Sequence, residues 1–133
     1  MRRKVLFVED HDSLRYVIGA FLSKNFEVTG AKNGLEAMSH LSQGLVPDAI
    51  ITDALMPLMN GFQFLANLQC SGMYAGIPVI VISGSCNDEE ELRFKQLGVD
   101  GYFQKPFSPV QLQDRLLQIT AGKSTNPKPA ISK

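Results

Sequence analysis

Four short segments of this 133-residue chain carry side chains able to do chemistry, and they recur in a consistent position. Glu9-Asp10 follows the apolar run at Lys4–Val8, and Asp53 closes the run Asp48-Ala49-Ile50-Ile51-Thr52. Ser83 follows the run at 77–82, and Lys105-Pro106 comes directly after Gly101-Tyr102-Phe103-Gln104. An open α/β sheet places its chemistry at the carboxyl ends of its buried strands. Two like charges about 5 Å apart repel by roughly 3 kcal/mol at an effective dielectric near 20, so acids gathered there call for a cation. Mg²⁺ suits them, since it is hard, takes oxygen ligands and binds through one or two carboxylates plus phosphate. Asp10, Asp53 and the backbone carbonyl of Leu55 are the expected direct ligands, with Glu9 binding directly or through a water; Mn²⁺ is the natural substitute. Asp53 is then a nucleophile that forms an acyl phosphate. Lys105 adds a second positive charge and Ser83 a hydroxyl donor for the phosphoryl group, whose transfer depends mainly on positioning and neutralisation.

The elements that must position these groups alternate along the chain. The run at 4–8 predicts a buried strand, and Leu14, Val17, Ile18, Phe21 and Leu22 then repeat at helical spacing behind an N-cap at Asp12 or Ser13. Residues 26–29 alternate as a half-exposed strand. Asn33 caps a second helix carrying Ala37, Met38 and Leu41, and Gly44 stops it. A third strand at 49–52 leads to a helix after Asn60-Gly61 that buries mainly Phe62, Leu65 and Leu68 or their near neighbours. A fourth strand spans 77–82, and the acidic residues 88–91 suit the start of a fourth helix. A short fifth strand covers 101–104, and Ser108-Pro109 opens a fifth helix striped by Leu112, Leu116 and Ile119.

Strands joined by helices imply right-handed crossovers and a parallel sheet. The first, third and fourth strands are apolar throughout, as central strands covered on both faces must be. The expected fold is therefore a doubly wound, flavodoxin-like α/β domain with five parallel strands in the order 2-1-3-4-5, flanked by five helices. It occupies residues 1–120, and 121–133 reads as a flexible tail or linker.

Composition narrows the function classes. The chain is 44% hydrophobic and 20% charged with a formal net charge of zero, which gives no broad attraction to nucleic acid or membrane. No apolar stretch approaches 18 residues and no signal-peptide pattern opens the chain. Cys70 and Cys86 lack metal-ligand spacing and read as free thiols of a reducing cytoplasm. His11, beside the acidic pair, reads as an exposed loop residue because Mg²⁺ prefers oxygen, and residues 88–91 read as a plain helix start.

Taken in order and at these spacings, Val8-Glu9-Asp10, Asp53 with Met56-Pro57 and Asn60-Gly61, Ser83-Gly84, and the segment from Gly98 to Phe107 resemble the receiver domains of bacterial two-component response regulators. The resemblance covers residues 3 to 120. It implies phosphorylation of Asp53 by a histidine kinase or histidine phosphotransfer protein, switching through Ser83 and Tyr102, and a cis peptide before Pro106. It also implies control of a downstream protein or of an attached output domain, and a partner face on the fourth helix, fifth strand and fifth helix that could support a homodimer. Enzymatic turnover is not expected beyond self-catalysed phosphotransfer and slow self-dephosphorylation. The slowness follows from Leu55, which offers no polar group to orient an attacking water. Direct contact with nucleic acid or membrane is not expected. The competing reading is a receiver-like docking module that works without phosphorylation.

Overall fold

The computed structural model describes residues 2–85 and 87–121. Five strands, β1 (Lys4–Val8), β2 (Glu27–Ala31), β3 (Ala49–Asp53), β4 (Val79–Ser83) and β5 (Gly101–Gln104), alternate with α1 (Asp12–Leu22), α2 (Gly34–Ser42), α3 (Gly61–Gln69), α4 (Asp88–Gln96) and α5 (Pro109–Thr120). All four strand pairings are parallel, and the sheet order is β2-β1-β3-β4-β5. The expected topology is the one found, with β2 and β5 at the edges.

Side-chain alternation along the strands divides the apolar interior in two. Val5, Phe7, Ile51, Ile80 and Ile82 pack with Ile18 and Leu22 of α1 and Leu112 and Leu116 of α5. Leu6, Val8, Ile50, Val79 and Val81 point to the other face, against Ala37 and Leu41 of α2, Phe64, Leu65 and Leu68 of α3, and Phe94 of α4. Every residue of β3 and β4 is buried, as strands covered on both faces require.

Several local expectations need correction. Helix α1 is preceded by His11 rather than capped by Asp12 or Ser13, and no side chain caps it. Its core stripe is narrower than the spacing suggests: Ile18 and Leu22 are buried, Leu14 and Phe21 pack partly buried against the same core, and Val17 is 59% exposed. Strand β2 begins at Glu27, which pairs with Lys4; Phe26 instead plugs the core just before it. Strand β4 begins at Val79, since Pro78 has no N–H to donate and contributes only its carbonyl to Ile50. In α3 it is Phe64 that is fully buried. Phe62 is half-buried and stacks on Phe94, with ring centroids 4.0 Å apart and planes 5° from parallel.

Two turns depend on glycine. Gly44 ends α2 with φ at 110°, a left-handed conformation that costs glycine little. At Gly61 a Cβ would fall 2.9 Å from the Asp53 carbonyl oxygen and 3.0 Å from Ala54 Cα. The start of α3 thus presses directly on the backbone that carries Asp53. Asn60 holds that start by a capping box with Gln63, which accounts for asparagine there.

Asp48 and Asp100 lie at the opposite edge of the sheet and serve structure. Their carboxylates accept from the backbone N–H of Lys4 and Val79. Cys70 is an exposed free thiol. Cys86 and the tail beyond 121 lie outside the described residues. Among the described residues, no helix is long and apolar enough to cross a membrane.

Candidate functional site

Backbone pairing sets the site before any side chain does. Glu9 N–H donates to the Ala31 carbonyl at 2.9 Å, Ala54 N–H to Ile82 at 2.8 Å, and Lys105 N–H to Ser83 at 2.7 Å. These bonds extend the parallel register one residue past the strands. They hold the loops after β1, β3, β4 and β5 at one edge of the sheet.

Glu9 is fully buried and Asp53 is 3% exposed. One ligand atom from each of Glu9, Asp10, His11 and Asp53 falls within a single 4.8 Å group. Lys105 reaches over from the β5 side, its Nζ 3.1 Å from both Asp53 Oδ2 and Glu9 Oε1. The Asp53 contact has hydrogen-bond geometry. The Glu9 contact is an ion pair. The Lys105–Pro106 peptide is cis.

The electrostatics follow from burial and crowding. Burial, then the neighbouring Glu9 charge, push the Asp53 carboxyl up to about 7, against the pull of Lys105. Burial also acts to raise Glu9, but hydrogen bonds from the His11 backbone and ring, together with the neighbouring Asp53 and Lys105, outweigh it and hold Glu9 below its usual value. Two carboxyls within one 4.8 Å group cannot both ionise cheaply, and it is the ionisation of Asp53 that is disfavoured. Burial acts to lower Lys105, yet the Asp53 and Glu9 carboxylates prevail and raise it.

Two buried oxygens lack a hydrogen bond: Asp10 Oδ1, and Glu9 Oε1, which has the Lys105 ammonium as an ion-pair partner. Buried polar atoms ordinarily have one. A hard cation would satisfy both, so this donor set fits Mg²⁺.

Among the described residues, neither the Ser83 nor the Tyr102 side chain hydrogen-bonds to the acidic cluster. Ser83 Oγ donates to Glu90 Oε2 at 2.6 Å, and the Tyr102 hydroxyl donates to the same oxygen at 2.9 Å. Burial and the Glu90 charge raise the Tyr102 phenol, although the neighbouring Ser83 hydroxyl opposes them. Leu55 is 80% exposed and lines, with Ser83, Gly84 and Glu90, an open cleft of about 470 Å³ beside the loop after β3.

Two participants escaped the sequence reading. His11 is exposed, as expected of a loop residue, but its backbone N–H and its Nδ1 both lie 3.0 Å from Glu9 Oε2, and Nδ1 is 3.6 Å from Asp10 Oδ1. Glu90 was indistinguishable from its acidic neighbours. All four acids, Asp88, Glu89, Glu90 and Glu91, lie in the first turn of α4, so position along the helix did not single it out.

With this geometry in view, likeness to known proteins is specific. The family model for the response regulator receiver domain matches residues 5–117. The chain belongs to that family. Among its relatives, the phosphate regulon transcriptional regulatory protein PhoB of Escherichia coli is 32% identical over 117 residues, covering 87% of this chain and 51% of PhoB. The receiver thus spans about half the length of that relative. The chemotaxis response regulator CheY4 of Vibrio cholerae superposes with a TM-score of 0.80 at 30% identity, covering 90% of this chain and 99% of that one. The phosphorylated cyanobacterial phytochrome response regulator RcpA superposes with a TM-score of 0.75 at 26% identity, covering 93% of each chain.

Proposed function

We propose that this receiver accepts a phosphoryl group on Asp53 and changes conformation to control a partner or an attached output domain. The observation that carries the reading is Asp53 itself: a buried carboxyl at the end of β3, contacted by Lys105 and crowded by acids with unsatisfied oxygens. The likeness to a response regulator solved in its phosphorylated form supports it.

In the proposed reaction an ionised Asp53 oxygen attacks the donor's phosphorus. The new carboxyl oxygen–phosphorus bond forms as the donor's bond to phosphorus breaks, and the leaving group departs with that electron pair. Glu9, Asp10, Asp53 and the Leu55 carbonyl would hold Mg²⁺ or Mn²⁺, which when bound neutralises charge on the acids and the phosphoryl oxygens. Lys105 pairs with a phosphoryl oxygen in place of the Asp53 carboxylate, and the Ser83 hydroxyl donates to another. Nearly two added negative charges are enough to draw these groups and their loops inward.

The donor is a histidine kinase or a histidine phosphotransfer protein, and the setting is the cytoplasm, both on family resemblance. The face of α4, β5 and α5 is the proposed contact for a target or a second copy. A docking module that needs no phosphorylation would not require the Lys105–Asp53 contact or the orphaned acid oxygens, so those features favour phosphorylation.

Intact-mass measurement after incubation with Mg²⁺ and acetyl phosphate tests the reading. Wild type should gain one phosphoryl mass and Asp53→Asn none. An unmodified wild type, or an equally modified variant, refutes it.

A further inference from the structure

We infer that Glu90 is the latch of the unphosphorylated receiver, occupying the one hydroxyl proton of Ser83 that a phosphoryl group on Asp53 would need. The inference rests on the function proposed above and names the group against which phosphorylation competes.

A serine hydroxyl has a single proton to donate and two lone pairs to accept with. Here the oxygen of Ser83 already accepts from the Ser85 N–H at 3.1 Å, and its proton is directed to Glu90 Oε2 at 2.6 Å. That bond is short and has a carboxylate acceptor, the stronger kind of hydrogen bond. Ser83 therefore cannot donate to a phosphoryl oxygen without releasing Glu90. The same Glu90 oxygen also holds the Tyr102 hydroxyl at 2.9 Å, so one carboxylate ties the β4 loop and β5 to the first turn of α4.

Helix α4 is suited to be held this way. Phe94 is its one buried residue, and its remaining anchorage includes the stack of Phe94 on Phe62, with Arg93 lying 4.2 Å over the Phe62 ring. A helix with so little apolar contact can shift when a polar tie is cut. The helix start does not depend on the Glu90 side chain, because Asn87 caps it by accepting from the N–H groups of Glu89 and Glu90. Removing the carboxylate thus cuts the latch and leaves the helix capped.

The test measures beryllofluoride affinity in the presence of Mg²⁺ by calorimetry for wild type, Glu90→Ala, Glu90→Gln, and each change in a Ser83→Ala background. Loss of a charge-assisted bond that must break on binding should tighten affinity about tenfold in Glu90→Ala. Glu90→Gln, which keeps a neutral acceptor, should fall between. In the Ser83→Ala background the same changes should have no effect, a coupling that general loosening of α4 would not produce. Thermal melts of all variants, run in parallel, report their folding. Unchanged affinity in Glu90→Ala, or the same gain with Ser83 absent, overturns the latch while leaving the phosphoacceptor reading intact. A wild type that binds no beryllofluoride and gains no phosphoryl mass removes both.

Discussion

Removing the charge of Asp53 should stabilise the cation-free protein at neutral and alkaline pH, and the structure sets the scale. Its carboxyl is raised from 3.8 to about 7, chiefly by burial and then by Glu9. The fold therefore favours the protonated form. The stability contributed by that protonation is full below the unfolded value and is lost as pH rises through the folded one. A shift of about three units at roughly 1.4 kcal/mol per unit gives a ceiling of about 4 kcal/mol lost between about pH 4 and pH 7. Glu9, held below its usual 4.5, contributes stability that is already complete above that value, so the loss between about pH 5 and pH 7 belongs to Asp53. Asp53→Asn keeps the size and the acceptor oxygen but cannot ionise. Urea unfolding of both proteins in a chelating buffer, from pH 5 to pH 8.5, should give curves that converge at the acid end. They should diverge as pH rises, with Asp53→Asn the more stable. Parallel stability curves would mean that Asp53 is not strained by its surroundings, and the electrostatic account of the site would fail.

Other expectations follow from the same geometry. Mg²⁺ should raise the melting temperature of wild type with a saturable dependence, and Glu9→Gln combined with Asp10→Asn should abolish the rise; a persisting rise would place the cation elsewhere. Leu55→Asn should shorten the lifetime of the phosphorylated form, followed by intact mass after acetyl phosphate is removed, because it supplies a polar group beside the cleft that Leu55 lines. An unchanged lifetime would refute that role. Phe94→Ala should cost about 3–5 kcal/mol in urea unfolding, since this fully buried ring stacks on Phe62 and lies 6.1 Å from the ring of Tyr102; a cost below 1 kcal/mol would show that α4 is anchored by other contacts.

Much of this fold is legible in the sequence alone, because the signals are local. Period-two runs and period-3.6 stripes are properties of single segments, and each segment has only one way to bury its apolar side in a layered fold. Apolar content separated central from edge strands, a division that the order 2-1-3-4-5 satisfies, and that order brings Glu9, Asp10, Asp53, Ser83 and Lys105 to one edge. Asn33, Ser108 and Gly44 also acted where expected, since a cap bonds within its own turn. Contacts between elements were another matter. Whether Phe62 or Phe64 enters the core depends on how α3 rolls on the sheet, and one position along a helix is 100° around it. That Glu90, among four consecutive acids, receives both Ser83 and Tyr102 depends on where α4 lies over β4 and β5. Chain order brought the acids, the hydroxyl and the lysine to the same edge; the relative placement of helix and sheet decided which of them hold one another.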